Sequence, residues 1–166
     1  MRYFHSNSQS ASNFNNNLPI ISLHINHAPV TTLVDSGATV SLININFAKN
    51  LNIKSVPNIN VVSASDHVIP ILGMCQVPIT LPDQSIVKLR MYVTNVLPQN
   101  YNMILGSDLL KKGNAIISWT NQSVKMFNQS FVFNCTDISH LSNRSPTPSE
   151  PHFTCFHLNA HKNCSP

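Results

Sequence analysis

The residues best suited to chemistry stand together at positions 33 to 39, in the order Leu-Val-Asp-Ser-Gly-Ala-Thr. An acidic residue that follows an apolar, β-branched run and precedes a hydroxyl residue and a glycine is typical of a strand that ends in a sharp turn. The apolar residues before Asp35 would be buried, and Gly37 would let the backbone and a ligand approach closely. The pattern predicts a carboxylate displayed at the floor of a cleft, where it can take up or give a proton.

A second motif, Ile-Leu-Gly at positions 104 to 106, lies about seventy residues downstream and precedes the sequence Ser-Asp-Leu-Leu. In this order and at this spacing, the two motifs resemble those of the retropepsins, the aspartic proteases of retroviruses and LTR retrotransposons. The resemblance covers roughly residues 18 to 128. It implies an all-β fold, namely a closed retropepsin-type barrel with one short C-terminal helix and one lobe per chain, active as a dimer.

The resemblance also implies roles for individual residues. Asp35 would be catalytic, Ser36 would hydrogen-bond across the base of the dimer, and Gly37 would offer its carbonyl group to the bound peptide. Ala38 and Ile104 would wall apolar subsites of the substrate pocket. From the residues alone, Asp35 has the alternative of stabilising its own turn through its side chain, and Ser36 that of an ordinary turn former.

Peptide hydrolysis by this chemistry needs two carboxylates that share one proton. The sequence holds one Asp-Ser-Gly turn, and the four other aspartates lack a following hydroxyl–glycine pair: Asp66, Asp83, Asp108 and Asp137. A two-lobed enzyme would need roughly twice the length, so we expect a homodimer in which each copy lends one Asp35. Asp108 is better explained as an acidic residue in the first turn of a helix.

Elements that would position the site can be predicted along the chain. Alternating apolar residues at 21, 23 and 25 predict a strand that turns at 27–29 and returns through 30–34 to Asp35. Residues 40–43 predict a short strand or the entry to a turn, 46–51 a short helix and 102–105 a buried strand. Residues 108–112 predict the C-terminal helix, with Ser107 as its cap and Gly113 just beyond.

Residues 59–73 predict a hairpin with a polar tip, and its place between the two motifs resembles the retropepsin flap. Ala64, Ser65 and Asp66 would form this tip and close over substrate. Retroviral flaps usually carry glycines here, whereas the nearest glycine in this chain is Gly73, so we expect a stiffer or differently shaped tip. A plain surface hairpin is the alternative.

Two further hairpins are predicted, at 77–93 and at 115–127. Pro78 places the first strand of the former at a sheet edge. In the retropepsins, the terminal strands contribute to the subunit interface. Residues 1–17 are rich in Ser and Asn and are predicted to be a flexible linker, the protease domain to span 18–128, and residues 129–166 to be a disordered tail.

Composition limits the remaining function classes. The chain has 166 residues, of which 10% are charged, and a net charge of +4 that is scattered and not clustered, so nucleic-acid binding is not favoured. Since no run reaches the roughly 18 apolar residues of a membrane span and the start lacks a signal-peptide pattern, we expect no membrane partner and an intracellular, cytoplasmic protein. Its four cysteines, at positions 75, 135, 155 and 164, would then be free thiols.

No cofactor and no metal are expected. Four metal-ligating side chains do lie close together in the tail: Cys155, His157, His161 and Cys164. Their spacing does not match the zinc knuckle of retroelement capsid proteins, and a His-rich tail without metal is the favoured interpretation. The sequence thus predicts an aspartic endopeptidase that cuts a polypeptide, its own polyprotein above all. The alternative is a catalytically silent retropepsin-like module for dimerisation or peptide binding.

Overall fold

The computed structural model describes residues 18–57, 59–97 and 101–134 in full, and residues 159–162 as backbone. Two short helices are present in these ranges, α1 (Ile45–Ala48) and α2 (Ser107–Lys112). The other elements are the strands β1 (Ile20–Ile25), β2 (Ala28–Val34), β3 (Leu42–Asn44), β4 (Ile59–Val62), β5 (Val68–Ile69), β6 (Gly73–Thr80), β7 (Ile86–Thr94), β8 (Met103–Leu105), β9 (Ile116–Ser118), β10 (Ser123–Met126), β11 (Gln129–Val132) and β12 (Asn159–Lys162).

Six strands close into a barrel in the order β1-β2-β8-β3-β7-β6. Two three-stranded sheets accompany it, ordered β11-β10-β9 and β12-β4-β5. The predicted all-β fold and the closed barrel with a short helix after its last strand are confirmed. No helix within the described residues has both the length and the apolar character that crossing a membrane requires.

The first hairpin forms as its alternation predicts. Side chains 21, 23 and 25 are buried in the barrel, while Ser22 and His24 are exposed. Asn26 and His27 make the turn with φ values of 49° and 66°, which suits a two-residue turn between twisted antiparallel strands. The turn therefore lies one residue earlier than expected, and Ala28 and Pro29 belong to β2.

The strands near the site are buried on both faces. Successive side chains of a strand point to opposite faces of the sheet, and here each face packs into a different hydrophobic core. The barrel interior takes Val34, Met103 and Leu105, together with most apolar residues of β1, β6 and β7. A second core, outside the barrel wall, takes Leu33 and Ile104 among others. Register places Leu33 beside Ile104 and Ile104 beside Leu42, so one apolar layer crosses three neighbouring strands.

Strand β6 is not the simple edge strand that Pro78 predicts. All eight of its residues pair with β7, and Ile79 and Thr80 also pair with β1. Pro78 lies just beyond this second pairing, where the missing N–H group of proline breaks no bond to β1. Pro78 is thus paired with β7 alone, as the prediction of an edge strand requires. The prediction is wrong for Ile79 and Thr80, which pair on both sides.

The two helices lie close to their predicted places. Helix α1 starts at Ile45, with the Asn44 side chain accepting the amide hydrogen of Asn46 at 2.9 Å. Helix α2 has Asp108 in its first turn and Gly113 at its C-terminal end, as expected. The predicted cap is wrong: Ser107 is the first helical residue, and Gly106 occupies the cap position without a side-chain hydrogen bond.

The ordered fold runs past the predicted boundary at residue 128. Strand β11 pairs with β10 over four residues, and Phe131 and Phe133 are buried in the same core as the residues of the barrel interior. The assignment of 129–134 to a disordered tail is therefore wrong. Further on, the backbone of β12 pairs with β4, so residues 159–162 also depart from that assignment. The predicted linker at 1–17 and the rest of the predicted tail lie outside the described residues.

Candidate active site

Asp35 follows the last residue of β2 and begins a tight turn. Its Oδ1 atom accepts the amide hydrogens of Gly37 at 2.9 Å and Ala38 at 3.2 Å, and its carbonyl oxygen also accepts from Ala38. The side chain is half-buried and that of Ser36 is exposed. The Asx-turn interpretation is thus correct about the hydrogen bonds, and these same bonds fix the orientation of the carboxyl group. A held, partly accessible carboxylate can exchange protons with a bound molecule.

Backbone hydrogen bonds join this turn to the second sequence motif. The Asp35 amide donates to the Leu105 carbonyl at 2.9 Å, and the Ser107 amide donates to the Ala38 carbonyl at 2.7 Å. Gly106 lies between them, and a Cβ atom added there would stand 2.5 Å from the carbonyl oxygen of Val40. The two motifs therefore form one unit, and a glycine is required at their crossing.

A buried hydroxyl group adds a side-chain link that no local sequence pattern predicts. Ser41 is fully buried, and its Oγ accepts the amide hydrogen of Gly106 at 2.8 Å and donates to the Asp108 carboxylate at 2.6 Å. Asp108 is thereby tied to the base of the site as well as to the start of α2. This agrees with the structural role predicted for it.

An apolar wall stands beside the turn. Ala38 and Ile104 are fully buried and belong to the same core as Val61 of β4 and Ile69 of β5. The β4-β5 hairpin thus packs against the wall next to the turn of Asp35. Tyr101 lies in this core too, and burial raises the pKa of its hydroxyl group. The structure brings Ala38 and Ile104 together as the sequence predicts, while their contact with a substrate stays a prediction.

The β4-β5 hairpin is closed by hydroxyl and imidazole groups in place of glycines. The Ser63 amide donates to the His67 carbonyl, and the Ser65 hydroxyl lies 3.1 Å from the Ser63 Oγ and 3.0 Å from the His67 Nδ1. Asp66 takes φ 60°, a left-handed conformation that aspartate tolerates better than most residues. Ala64, Ser65 and Asp66 are exposed at the tip. The predicted hairpin is confirmed, and its action as a flap stays a prediction.

Metal ligands and thiols add nothing to this site within the described residues. In residues 18–57, 59–97 and 101–134, no group of three or more His, Cys, Asp and Glu side chains is placed to hold an ion. Cys75 is buried in the barrel as a free thiol, and burial raises its pKa. The predicted tail cluster lies outside the described residues, apart from the backbone of His161 in β12.

Comparison with known proteins bears directly on this geometry. The family model described as "gag-polyprotein putative aspartyl protease" matches residues 21–112, more than half of the chain. No curated protein matches the chain. Among solved structures, the retroviral protease-like domain of Ddi1 from Leishmania major is similar, with a TM-score of 0.54 and 21% identity over 71% of this chain and 94% of that one.

The EIAV protease complexed with the inhibitor HBY-793 also matches, with a TM-score of 0.39 and 19% identity over 70% of this chain and 99% of that one. At 21% identity, the similarity to the Ddi1 domain supports the fold alone. The family match does more, because it spans the turn of Asp35, the β4-β5 hairpin and the strand-to-helix crossing at Gly106. On the fold, the site and this match together, the chain belongs to the gag-polyprotein aspartyl protease family and has a retropepsin-like fold.

Proposed function

We propose that this chain is an aspartic endopeptidase of a retroelement polyprotein, assembled from two copies that each contribute Asp35. The observation that carries the proposal is the turn of Asp35. Its carboxylate is half-buried, oriented by two amide hydrogens and tied to the Gly106 crossing, while the sequence repeats the Asp-Ser-Gly motif nowhere else. Each chain thus supplies one oriented carboxylate of the two that this hydrolysis needs.

The second carboxylate would come from the other copy across a two-fold axis. Two carboxyl groups at hydrogen-bonding distance cannot both ionise at low cost, so they hold one proton between them and titrate as a pair. The ionised Asp35 takes a proton from a water molecule, which attacks the peptide carbonyl carbon. The protonated Asp35 gives its proton to the carbonyl oxygen, and the resulting diol collapses with proton transfer to the leaving nitrogen.

The terminal sheet supports a subunit interface on the side of the active turn. Val34 donates its amide hydrogen to Pro19, and Asn134, just after β11, donates to the neighbouring Ile20 carbonyl at 2.6 Å. Strand β11 thus ends beside β1, the hairpin partner of the strand β2 that leads to Asp35. On the outer face of this sheet, Ile116 and Val132 are 65% and 71% exposed. Large apolar side chains exposed at this place favour contact with a second copy.

A polypeptide is the substrate class that fits this site. An extended peptide can hydrogen-bond to strand edges with its backbone and place alternate side chains on either side of the strand it adds. The polyprotein that contains this chain is the substrate we propose, since it is present wherever the domain is made. A cytoplasmic location is part of the same proposal, because translation takes place there.

The experiment compares the purified chain with Asp35→Asn, using a peptide library read by mass spectrometry between about pH 4 and 7. Asp83→Asn is the matched control, because it makes the same chemical change in the exposed β6-β7 turn. We expect cleavage by the chain and the control, and none by Asp35→Asn. Light scattering on the same samples should show activity rising with the dimer fraction, and Val132→Lys should lower both.

Cleavage that persists in Asp35→Asn, or that is independent of the dimer fraction, would overturn the mechanism. The flap tip favours one second candidate, a peptide-binding module without turnover. Its hydroxyl–imidazole network replaces the glycines that give retroviral flaps their mobility. A stable dimer that binds library peptides, cleaves none of them and binds equally well as Asp35→Asn would establish this second function.

A further inference from the structure

Strand β12 lies on the outer edge of the hairpin that packs over the active turn. Its four residues pair antiparallel with β4, from Asn159 opposite Val62 to Lys162 opposite Ile59. On its other side, β4 pairs with β5. Both edges of β4 are therefore occupied, one by the hairpin itself and the other by a segment from the C-terminal end of the chain.

The edge that β12 occupies is the one a peptide would need. Beyond β5 the chain leads directly into the barrel, where the Leu72 amide donates to the Val93 carbonyl. That side of the hairpin is closed by the fold. The face of β4 packs through Val61 onto the wall of Ala38 and Ile104. A strand added to the outer edge of β4 is thus held next to the wall that flanks Asp35.

We propose that residues 159–162 are a built-in occupant of the peptide-binding edge, which any other extended peptide must displace. The assignment of this edge to substrate rests on the proposed function, whereas the pairing of β12 with β4 does not. The occupant and a substrate would use the same backbone groups of β4, so their binding is mutually exclusive. Displacement of β12 then becomes a step that precedes peptide binding.

The chain is long enough for this contact to be made within one molecule. Between Asn134 and β12 lie 24 residues, 135–158. Fully extended, such a segment reaches about 80 Å. A domain of this size has a diameter of about 35 Å. Tethering also raises the local concentration of the strand to about 1 mM, so even a weak contact with β4 is largely formed.

The test uses the full chain carrying Asp35→Asn, which removes cleavage and leaves strand pairing intact. In one variant, Ala160→Pro and His161→Pro are combined. Because N–H groups alternate in direction along a strand, one of these two neighbours donates toward β4, and proline removes it. The matched control combines Ala160→Val and His161→Thr, which changes the same residues, keeps both N–H groups and favours a strand.

Amide hydrogen exchange at residues 59–62 is the first measurement. We expect the amides of β4 that face β12 to lose protection in the proline variant and to keep it in the control. Protection that is equal in both variants would overturn the proposal. Protection that falls on dilution of the protein would also overturn it, since the strand would then come from a second copy.

Peptide binding is the second measurement, with a fluorescein-labelled synthetic peptide of residues 156–166 as the probe. If the tethered strand occupies β4 at about 1 mM and the free peptide binds with a Kd of about 0.1 mM, removal of the strand should tighten probe binding about tenfold. Equal binding by the proline variant and the control would refute competition for the edge.

Neither measurement depends on catalysis, so the two proposals can fail separately. With Asp35 restored, we expect the proline variant to cleave library peptides faster than the control at low peptide concentration and equally fast at saturation. If no variant cleaves any peptide while exchange and probe binding behave as expected, the endopeptidase proposal is overturned and the built-in occupant stands.

Discussion

Replacing Ser41 with alanine should destabilise the fold, because it removes the hydrogen bonds that link Ser41 to Gly106 and to Asp108. Ser41→Ala leaves the buried amide of Gly106 without its 2.8 Å acceptor and removes the 2.6 Å bond to Asp108. An unsatisfied buried N–H group costs about 1 to 3 kcal/mol. The Asp108 side chain is exposed, so water replaces most of the second bond. We expect a loss of about 2 to 3 kcal/mol in the free energy of unfolding.

Urea unfolding followed by circular dichroism measures this loss, at one fixed protein concentration because dimerisation would contribute to stability. The dependence of the free energy on urea should stay unchanged, since the substitution alters neither the exposed surface nor the fold. Asp108→Asn is the control. Its amide oxygen still accepts from the Ser41 hydroxyl, so it should cost about 1 kcal/mol or less.

The reasoning would be refuted in either of two ways. A loss below about 0.5 kcal/mol for Ser41→Ala would mean that the amide of Gly106 finds another acceptor. A loss equal to that of Asp108→Asn would mean that the carboxylate, and not the buried amide, dominates the energy. If the loss is as large as expected, the retained folded fraction should still show Asp35 in its turn, because the Asp35–Leu105 hydrogen bond is independent of Ser41.

Three further changes test other parts of the structure. Gly106→Ala would put a Cβ atom 2.5 Å from a backbone oxygen and should cost about 3 kcal/mol or more on urea unfolding, whereas Gly113→Ala meets an aromatic side chain at 3.0 Å and should cost less. Phe131→Ala should lower the free energy of unfolding by about 3 to 5 kcal/mol, because the side chain is buried in the core. Ile86→Ala should cost little, because that side chain is 63% exposed. Near-equal losses would mean that the folded domain ends at residue 128. Burial raises the pKa of the Cys75 thiol, so its thiolate fraction at pH 8 is small. Iodoacetamide should therefore modify Cys75 slowly until denaturant is added, as measured by mass spectrometry. Rapid modification of the native protein would contradict the barrel packing.

The site could be predicted from sequence where local pattern and chemistry agree. An aspartate after Leu33 and Val34, with a glycine two residues on, is enough to place a turn at a strand end. The buried strand at Ile104 follows from its apolar run. That the two lie together follows from the resemblance, and the hydrogen bond from Asp35 to Leu105 confirms it.

Partners distant in sequence could not be predicted. Ser41 sits between apolar residues without any signal for its two bonds to residues 65 and 67 positions away. Strand β11 has only a weak sequence signal, although Phe131 and Phe133 alternate with Val132, because four residues are too few for a clear period and the chain around them is polar. Residue type alone favours Ser107 as the helix cap, whereas the close crossing at Gly106 decides where α2 begins.

The crossing of the two motifs has a consequence for the timing of synthesis. The acceptor strand β8 is encoded after β3 to β7, and the Ser41–Gly106 bond alone spans 65 residues. At about 5 to 20 residues per second, a ribosome needs about 3 to 13 s to add such a length. During that interval Asp35 already exists but its turn has no partner. The turn of Asp35 therefore cannot form its hydrogen bonds to Leu105 and Ser107 until those residues have been synthesised.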